Sequence, residues 1–272
     1  MNTLIKKLIP KVKQKKELAG ISDGTVTEVL VKLFKREPKL LKELSIMINE
    51  KSAAYTQVIK LARAELRRSY GLFRVEKVEE EIKDVHKVLS SHSSTKERAS
   101  FYSELYPRLF SITGKPTIVI DLGCGVNPFS VELMELQRLK YYAYDISEKE
   151  VKLLNRFFSV KQTENKNFVG KAEVMDVSKV ELVKKLPSAD ICFMFKLTDI
   201  LDRGKGHKKT EEVLKAVPSK WLVISFPTLT MSGKPMTAPR RRWMEWLCKR
   251  LGYKYQILEF ENELFYVVRK GR

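Results

Sequence analysis

Two acids carry the first chemical signal. Asp121 ends a β-branched run, Thr117 to Asp121, and opens directly into Leu122-Gly123-Cys124-Gly125, with Asn127 and Pro128 behind it. Asp145 closes a second run, Tyr141-Tyr142-Ala143-Tyr144. Glycines let a ligand touch backbone, and an acid at the end of the following strand can accept from ribose hydroxyls. The pair therefore reads as the nucleoside site of a βαβ unit.

Which nucleoside depends on the next position. A dinucleotide site places a third glycine there so that a helix can approach the pyrophosphate, whereas this chain has Pro128. S-adenosylmethionine (SAM), which has no diphosphate, suits the turn better than a nicotinamide cofactor. Cys124 inside the turn reads as a small filler. The other cysteines, Cys192 and Cys248, and the three histidines are scattered without metal-ligand spacing, and the low, odd cysteine count points to a reducing cytoplasm.

The elements that must position these groups alternate. Thr117 to Asp121, Tyr141 to Asp145, Ala172 to Asp176, Asp190 to Phe195 and Trp221 to Phe226 are expected strands, with helices over Phe129 to Leu139, Glu148 to Phe158 and Thr210 to Val217. Two more strands, Tyr253 to Phe260 and Leu264 to Arg269, are joined only by Glu261-Asn262-Glu263. So short a link forces an antiparallel pair. The expected fold is α/β, a Rossmann-like class I methyltransferase seven-strand sheet with an N-terminal all-helical domain. Ligands in such sheets sit at the carboxyl ends of the strands, which here carry Asp121, Gly123, Asp145, Asp176, Phe195, Lys196 and Phe226. Asp176 either accepts from an adenine amino group beside Val177 or caps the next turn. Phe226 either stacks on an extruded base or lies in the core.

Residues 1–90 read as a bundle of four or five helices. Ser22 or Asp23 caps the one carrying Val26, Val29, Leu30 and Leu33; Gly71 closes another, and Val75 to Leu89 form the last. Arg63, Arg67 and Arg68 share helix surface by their spacing. A Ser-rich linker, residues 90–98, then offers Ser93 or Ser94 as an N-cap with Glu97 nearby, before a helix that turns Phe101, Leu105 and Leu109 inward.

Lys and Arg number 52 against 33 Asp and Glu, a net charge of +19 spread over both halves of the chain. A polyanionic partner is expected. No apolar run approaches the length of a membrane span, and the first ten residues lack a signal-peptide core.

His92-Ser93-Ser94-Thr95-Lys96-Glu97-Arg98, Asp121 to Pro128, Tyr142-Ala143-Tyr144-Asp145-Ile146, Phe195-Lys196, Ser225-Phe226-Pro227-Thr228 and Asn262-Glu263-Leu264 follow one another in a known order. That series resembles the aminoglycoside-resistance ribosomal RNA methyltransferases of the Arm/Rmt type. The resemblance implies methyl transfer from SAM to N7 of a guanine in the decoding region of small-subunit 16S rRNA. It implies that Arg98 holds the methionine carboxylate, that Gly123 supplies backbone there, that Asp145 binds ribose, and that Asp176 and Val177 flank adenine. Thr95, Asp121, Gly125, Ile146 and Phe195 complete the implied cofactor site; Lys196, Asp202 and Phe226 are the implied catalytic set. The rRNA contacts expected are Lys6, Lys7, Arg63, Arg67, Arg68, Lys234, Arg240 and Arg241, on a monomer acting on the small ribosomal subunit. The domains expected are residues 1–90 for docking and 91–272 for methyl transfer.

The chain departs from the family after Thr228: Leu229 stands where an Arg is typical, and Ser232-Gly233-Lys234 replaces a Gly-Gly-Arg segment. Arg240, Arg241 and Arg242 supply charge nearby. Alternatives left by the residues are methylation of another small-subunit base, a small-molecule methyltransferase, and a non-catalytic ribosome-assembly factor on the same fold. Guanine N7 has an in-plane lone pair and needs no general base, in keeping with a sequence that lacks an Asn-Pro-Pro-Tyr motif.

Overall fold

A computed structural model describes residues 2–15, 18–46, 49–69, 85–90, 92–202, 206–230 and 233–271. The expected helix end at Gly71, most of the helix from Val75, and Ser232 lie outside the described residues. The chain divides into two compact units, one of Met1–Arg74 with Ile146–Lys149, the other of Val75–Asp145 with Glu150–Arg272.

In the first unit, α1 (Asn2–Lys13), α2 (Asp23–Arg36), α3 (Pro38–Ile46) and α4 (Ala53–Ser69) enclose Leu8, Val12, Val26, Leu30, Val58, Ala62 and Leu66 in one apolar core. The Ser22 hydroxyl caps α2, accepting from the Thr25 N–H at 3.0 Å. α2 stops before Pro38, which begins α3, where its missing N–H costs nothing. Ile21 bridges Ser147 in antiparallel fashion, so the segment Ile146–Lys149 belongs with these helices.

The second unit is built on a sheet of seven strands: β1 (Ile118–Leu122), β2 (Leu139–Asp145), β3 (Phe168–Val174), β4 (Ala189–Phe195), β5 (Ser219–Pro227), β6 (Lys254–Glu259) and β7 (Glu263–Arg269). Their order is β3-β2-β1-β4-β5-β7-β6. The first five are parallel, and β7 runs antiparallel between β5 and β6. Both faces of the sheet are covered, so successive residues of the inner strands enter opposite cores. Val119, Ile191, Phe193 and Phe195 pack on one side, where α5 (Val85–Leu89), α7 (Tyr102–Thr113) and α8 (Glu148–Glu164) contribute. Ile120, Leu122, Cys192 and Met194 pack on the other, with α9 (Val180–Val183), α10 (Thr198–Asp202), α11 (Lys208–Ala216) and α12 (Arg242–Arg250). The short helix α6 (Ser93–Arg98) precedes α7.

Four local expectations are corrected. The helix expected over Phe129 to Leu139 is a 3-10 helix, Asn127–Met134, and Leu139 already belongs to β2. Glu135 stops it with a left-handed φ of 50°. The third strand begins at Phe168 and ends at Val174, leaving Asp176 in the turn beyond. Gly170 obscured its first half, and a Cβ there would meet the Phe158 ring at 2.4 Å. At α6 the N-cap is His92, without a side-chain capping bond, instead of Ser93 or Ser94. The expected inward helix is divided, α7 starting only after Phe101.

Candidate active site

Parallel strands deliver their last residues to one end of the sheet, and there Asp121, Asp145 and Phe195 gather. The antiparallel β7 starts at that same end, and its first residue, Glu263, pairs with Pro227 at the end of β5. Strand polarity thereby adds a carboxylate that the motif pattern had left without a role.

Glu263 organises a buried ionic cluster. It is 0% exposed, its carboxylate lies 3.0–3.1 Å from Nε of Arg98, and it accepts from the Ser225 hydroxyl. Arg98, 1% exposed at the end of α6, uses one terminal nitrogen for Tyr102 Oη and Asn127 Oδ1, each at 3.1 Å. Its guanidinium lies 4.8 Å above the Phe195 ring centroid, a cation–π contact. Burial disfavours its charge, but the facing Glu263 carboxylate and Tyr102 raise its pKa above the ordinary arginine value. Its other terminal nitrogen makes no hydrogen bond among the described residues, which suits a ligand carboxylate.

Lys196 follows β4 and is 8% exposed. Its Nζ pairs with Glu97 and lies 3.5 Å from Glu263, while its N–H donates to Ser225 Oγ at 3.0 Å. Its φ of 52° places a bulky residue in the left-handed region, a conformation that persists only where surroundings impose it.

The glycine turn lies alongside. Gly123, with φ 63°, and Gly125, with φ 51°, donate backbone N–H to Tyr144 O and Asp145 Oδ2 respectively, both at 2.8 Å. A Cβ on Gly125 would sit 3.2 Å from His92 Nδ1, so the turn is a cradle of bare backbone. Asp121 accepts from Asn127 Nδ2 at 2.9 Å and Tyr141 Oη at 2.7 Å; burial, only partly offset by those bonds and by Arg98, pushes its carboxyl up to about 6. Burial also pushes the Cys124 thiol well up, which fits a filler. Asp176 spends Oδ1 on the N–H and hydroxyl of Ser178, at 3.0 and 2.7 Å. It closes its own turn while Oδ2 has no bond among the described residues, and Val177 beside it is buried. Ile146, next to Asp145, is half-buried and falls with the helical unit.

Other expected site residues are engaged elsewhere. The Thr95 hydroxyl donates to the carbonyls of Leu89 and His92, tying α6 to the end of α5. Asp202 accepts from the N–H and hydroxyl of Thr210 at 3.0 and 2.7 Å, so it caps α11, and no described bond joins it to Lys196. Phe226 is 1% exposed, with Trp243 and Tyr266 edge-on to it and the Arg241 guanidinium 5.2 Å from its centroid. It is core, and offers no face to a base. Arg63 donates to the carbonyls of Lys11 and Val12, capping α1, and is no free phosphate ligand. Arg241 holds the carbonyls of Pro227 and Pro239, and Arg240 pairs with Glu245. Lys6, Lys7, Arg67 and Lys234 are exposed; the side chain of Arg68 lies outside the described residues.

A doubly covered sheet whose last strand is antiparallel, with a backbone cradle, an acid at the end of β2 and a buried arginine beside them, defines a SAM-dependent methyltransferase of class I type. A sequence profile described as "Ribosomal RNA methyltransferase (FmrO)" matches residues 40–267, and the chain belongs to that family. The chain is 26% identical to a 16S rRNA (guanine(1405)-N(7))-methyltransferase of Proteus mirabilis, over 98% of this chain and 97% of that one. It is 29% identical to an enzyme of the same name from Frankia casuarinae, over 68% of this chain and 64% of that one. The solved 16S rRNA methyltransferase RmtF, in complex with S-adenosyl-L-homocysteine, shares the fold, with a TM-score of 0.73 at 21% identity over 100% of both chains.

Proposed function

We propose that this chain transfers a methyl group from SAM to N7 of guanine 1405 in 16S rRNA of the small ribosomal subunit. The observation that carries the reading is the end-to-end match to the Proteus mirabilis enzyme of that name. Bound SAM supplies an electrophilic methyl on a sulfonium. The second terminal nitrogen of Arg98 takes the methionine carboxylate, the backbone at Gly123 lies against the same moiety, and Asp145 accepts from the ribose hydroxyls. Val177 covers one face of the adenine, and Oδ2 of Asp176 accepts from its amino group. Glu263 acts through Arg98 as a positioning residue, and Lys196 stands at the β4 end where the target purine arrives. With an in-plane lone pair as nucleophile, the residues have only to align the two reactants and exclude water.

Residues 1–90 dock on rRNA phosphates, and the enzyme works as a monomer in the cytoplasm, where its substrate is. Among the described residues no helix is long and apolar enough to cross a membrane. The segment after Thr228 favours a second reading, in which another small-subunit base is the target, because Arg241 there is spent on backbone carbonyls. Purified small subunits incubated with protein and tritiated SAM, then mapped by primer extension and mass spectrometry, decide. Label at N7 of guanine 1405 is expected. Label at another base overturns the target, and no label overturns the activity. Aminoglycoside resistance, as the Arm/Rmt resemblance implies, should follow when the gene is expressed in a susceptible bacterium.

A further inference from the structure

The helix α12 turns an unusual face outward. Trp246 is 74% exposed, far beyond the next large apolar side chain of the described residues, Val169 at 45%. Arg242 lies four residues before it and Lys249 three residues after, so all three share one side of the helix. Arg242 and Lys249 are exposed and have no ion pair among the described residues, whereas Arg250 on the same helix is matched to Glu211 and Arg240 is matched to Glu245. The opposite side, Met244, Leu247 and Cys248, is buried against the sheet, so core packing does not require the indole.

We propose that this face is an RNA-contact surface, on which Trp246 stacks against an unpaired base while Arg242 and Lys249 take the flanking phosphates. An indole offers a π-face that any base can use, and cations one helical turn to either side supply the complementary charge for the backbone. A protein partner fits less well, because two unmatched cations bracket a single aromatic without an apolar rim, and a chain of +19 selects a polyanion. The assignment rests on rRNA as the substrate, but not on which base is methylated.

Trp246→Ala, Trp246→Phe and the double variant Arg242→Glu/Lys249→Glu are compared with wild type for binding to purified small subunits at several salt concentrations. Calorimetric SAM binding serves as the control for folding. Trp246→Ala should weaken subunit binding roughly tenfold and Trp246→Phe should recover most of it. The double variant should lower the salt slope by about two. Ultraviolet cross-linking of wild type should give an adduct to an rRNA nucleotide that Trp246→Ala loses. Binding by Trp246→Ala within twofold of wild type overturns the surface, and an adduct only to a ribosomal protein overturns RNA as its occupant. If wild type labels a base other than guanine 1405 while Trp246→Ala binds poorly, the proposed target falls and the helix assignment stands. Wild-type labelling at guanine 1405 with an unimpaired Trp246→Ala sinks the helix assignment alone.

Discussion

Glu263 shows what a single residue can decide. Replacing it with Gln leaves Arg98 and Lys196 buried beside each other without their shared anion, a loss of about 3–5 kcal/mol of stability by analogy with broken buried pairs. Urea unfolding should show that loss, and calorimetry should show weakened SAM binding; unchanged SAM affinity would detach Glu263 from Arg98's role. Asp121 predicts a pH dependence of unusual sign. Its carboxyl is raised from 3.8 to about 6, so between those values the folded chain keeps a proton that the unfolded chain has released. Its contribution is full below about 4 and is lost as pH rises through about 6, worth about 3 kcal/mol, and Asp121→Asn should flatten that part of the stability profile. Lys196 separates backbone from side chain: Lys196→Gly should be more stable than Lys196→Ala by about 1 kcal/mol, because only glycine is unstrained at positive φ, while both lose methyl transfer. Asp121, Asp145, Gly123 and Arg98 could be singled out in the sequence because each sits in a local pattern, and the structure places them at or beside the carboxyl ends of β1 and β2. Glu263 was visible only as part of a motif, since its partner lies 165 residues away. The enclosure of Phe226 and the bonding of Asp202 to Thr210 were illegible for the reverse reason: position in a motif says where a residue falls along a strand or helix and not which neighbours enclose it.

Among the elements, the turn after β1 makes the clearest prediction. Gly125→Ala puts a Cβ 3.2 Å from His92 Nδ1 on a left-handed backbone, and should cost about 1–2 kcal/mol and raise the Kd for SAM, read by urea titration and calorimetry. If affinity is retained, the cradle is not where the cofactor lies. The strands were legible almost to the residue where β-branched and aromatic runs are uninterrupted, as in β1, β4 and β7. They blurred where a packing demand intruded, as at Gly170 under Phe158. Over only eight residues the three-residue period of the 3-10 helix is not told from the roughly 3.6 of an α-helix, and the left-handed Glu135 that ends it has no sequence signature. Antiparallel β7 followed from loop length alone, since three residues cannot cross a sheet.

The whole molecule carries a charge of +19, and phosphate contacts release counterions, so small-subunit binding should fall at least tenfold between about 50 and about 200 mM salt. Lys6→Glu, Lys7→Glu and Arg67→Glu together should shrink that dependence and weaken subunit affinity without altering SAM binding; unchanged affinity would remove the helical residues from docking. Arg63 is left out of that set because its loss would unpick the end of α1. The placement of β7 has a consequence for how the protein is made. The last strand in the sequence is an interior strand of the sheet, and it carries the anion that neutralises Arg98. During synthesis β5 must wait with an open edge, and an arginine destined for burial must stay hydrated, until residues 263–269 have left the ribosome. A chain interrupted before residue 263 would leave the edge of β5 unpaired and Arg98 without the anion it faces on burial, and such a species is a misfolding hazard.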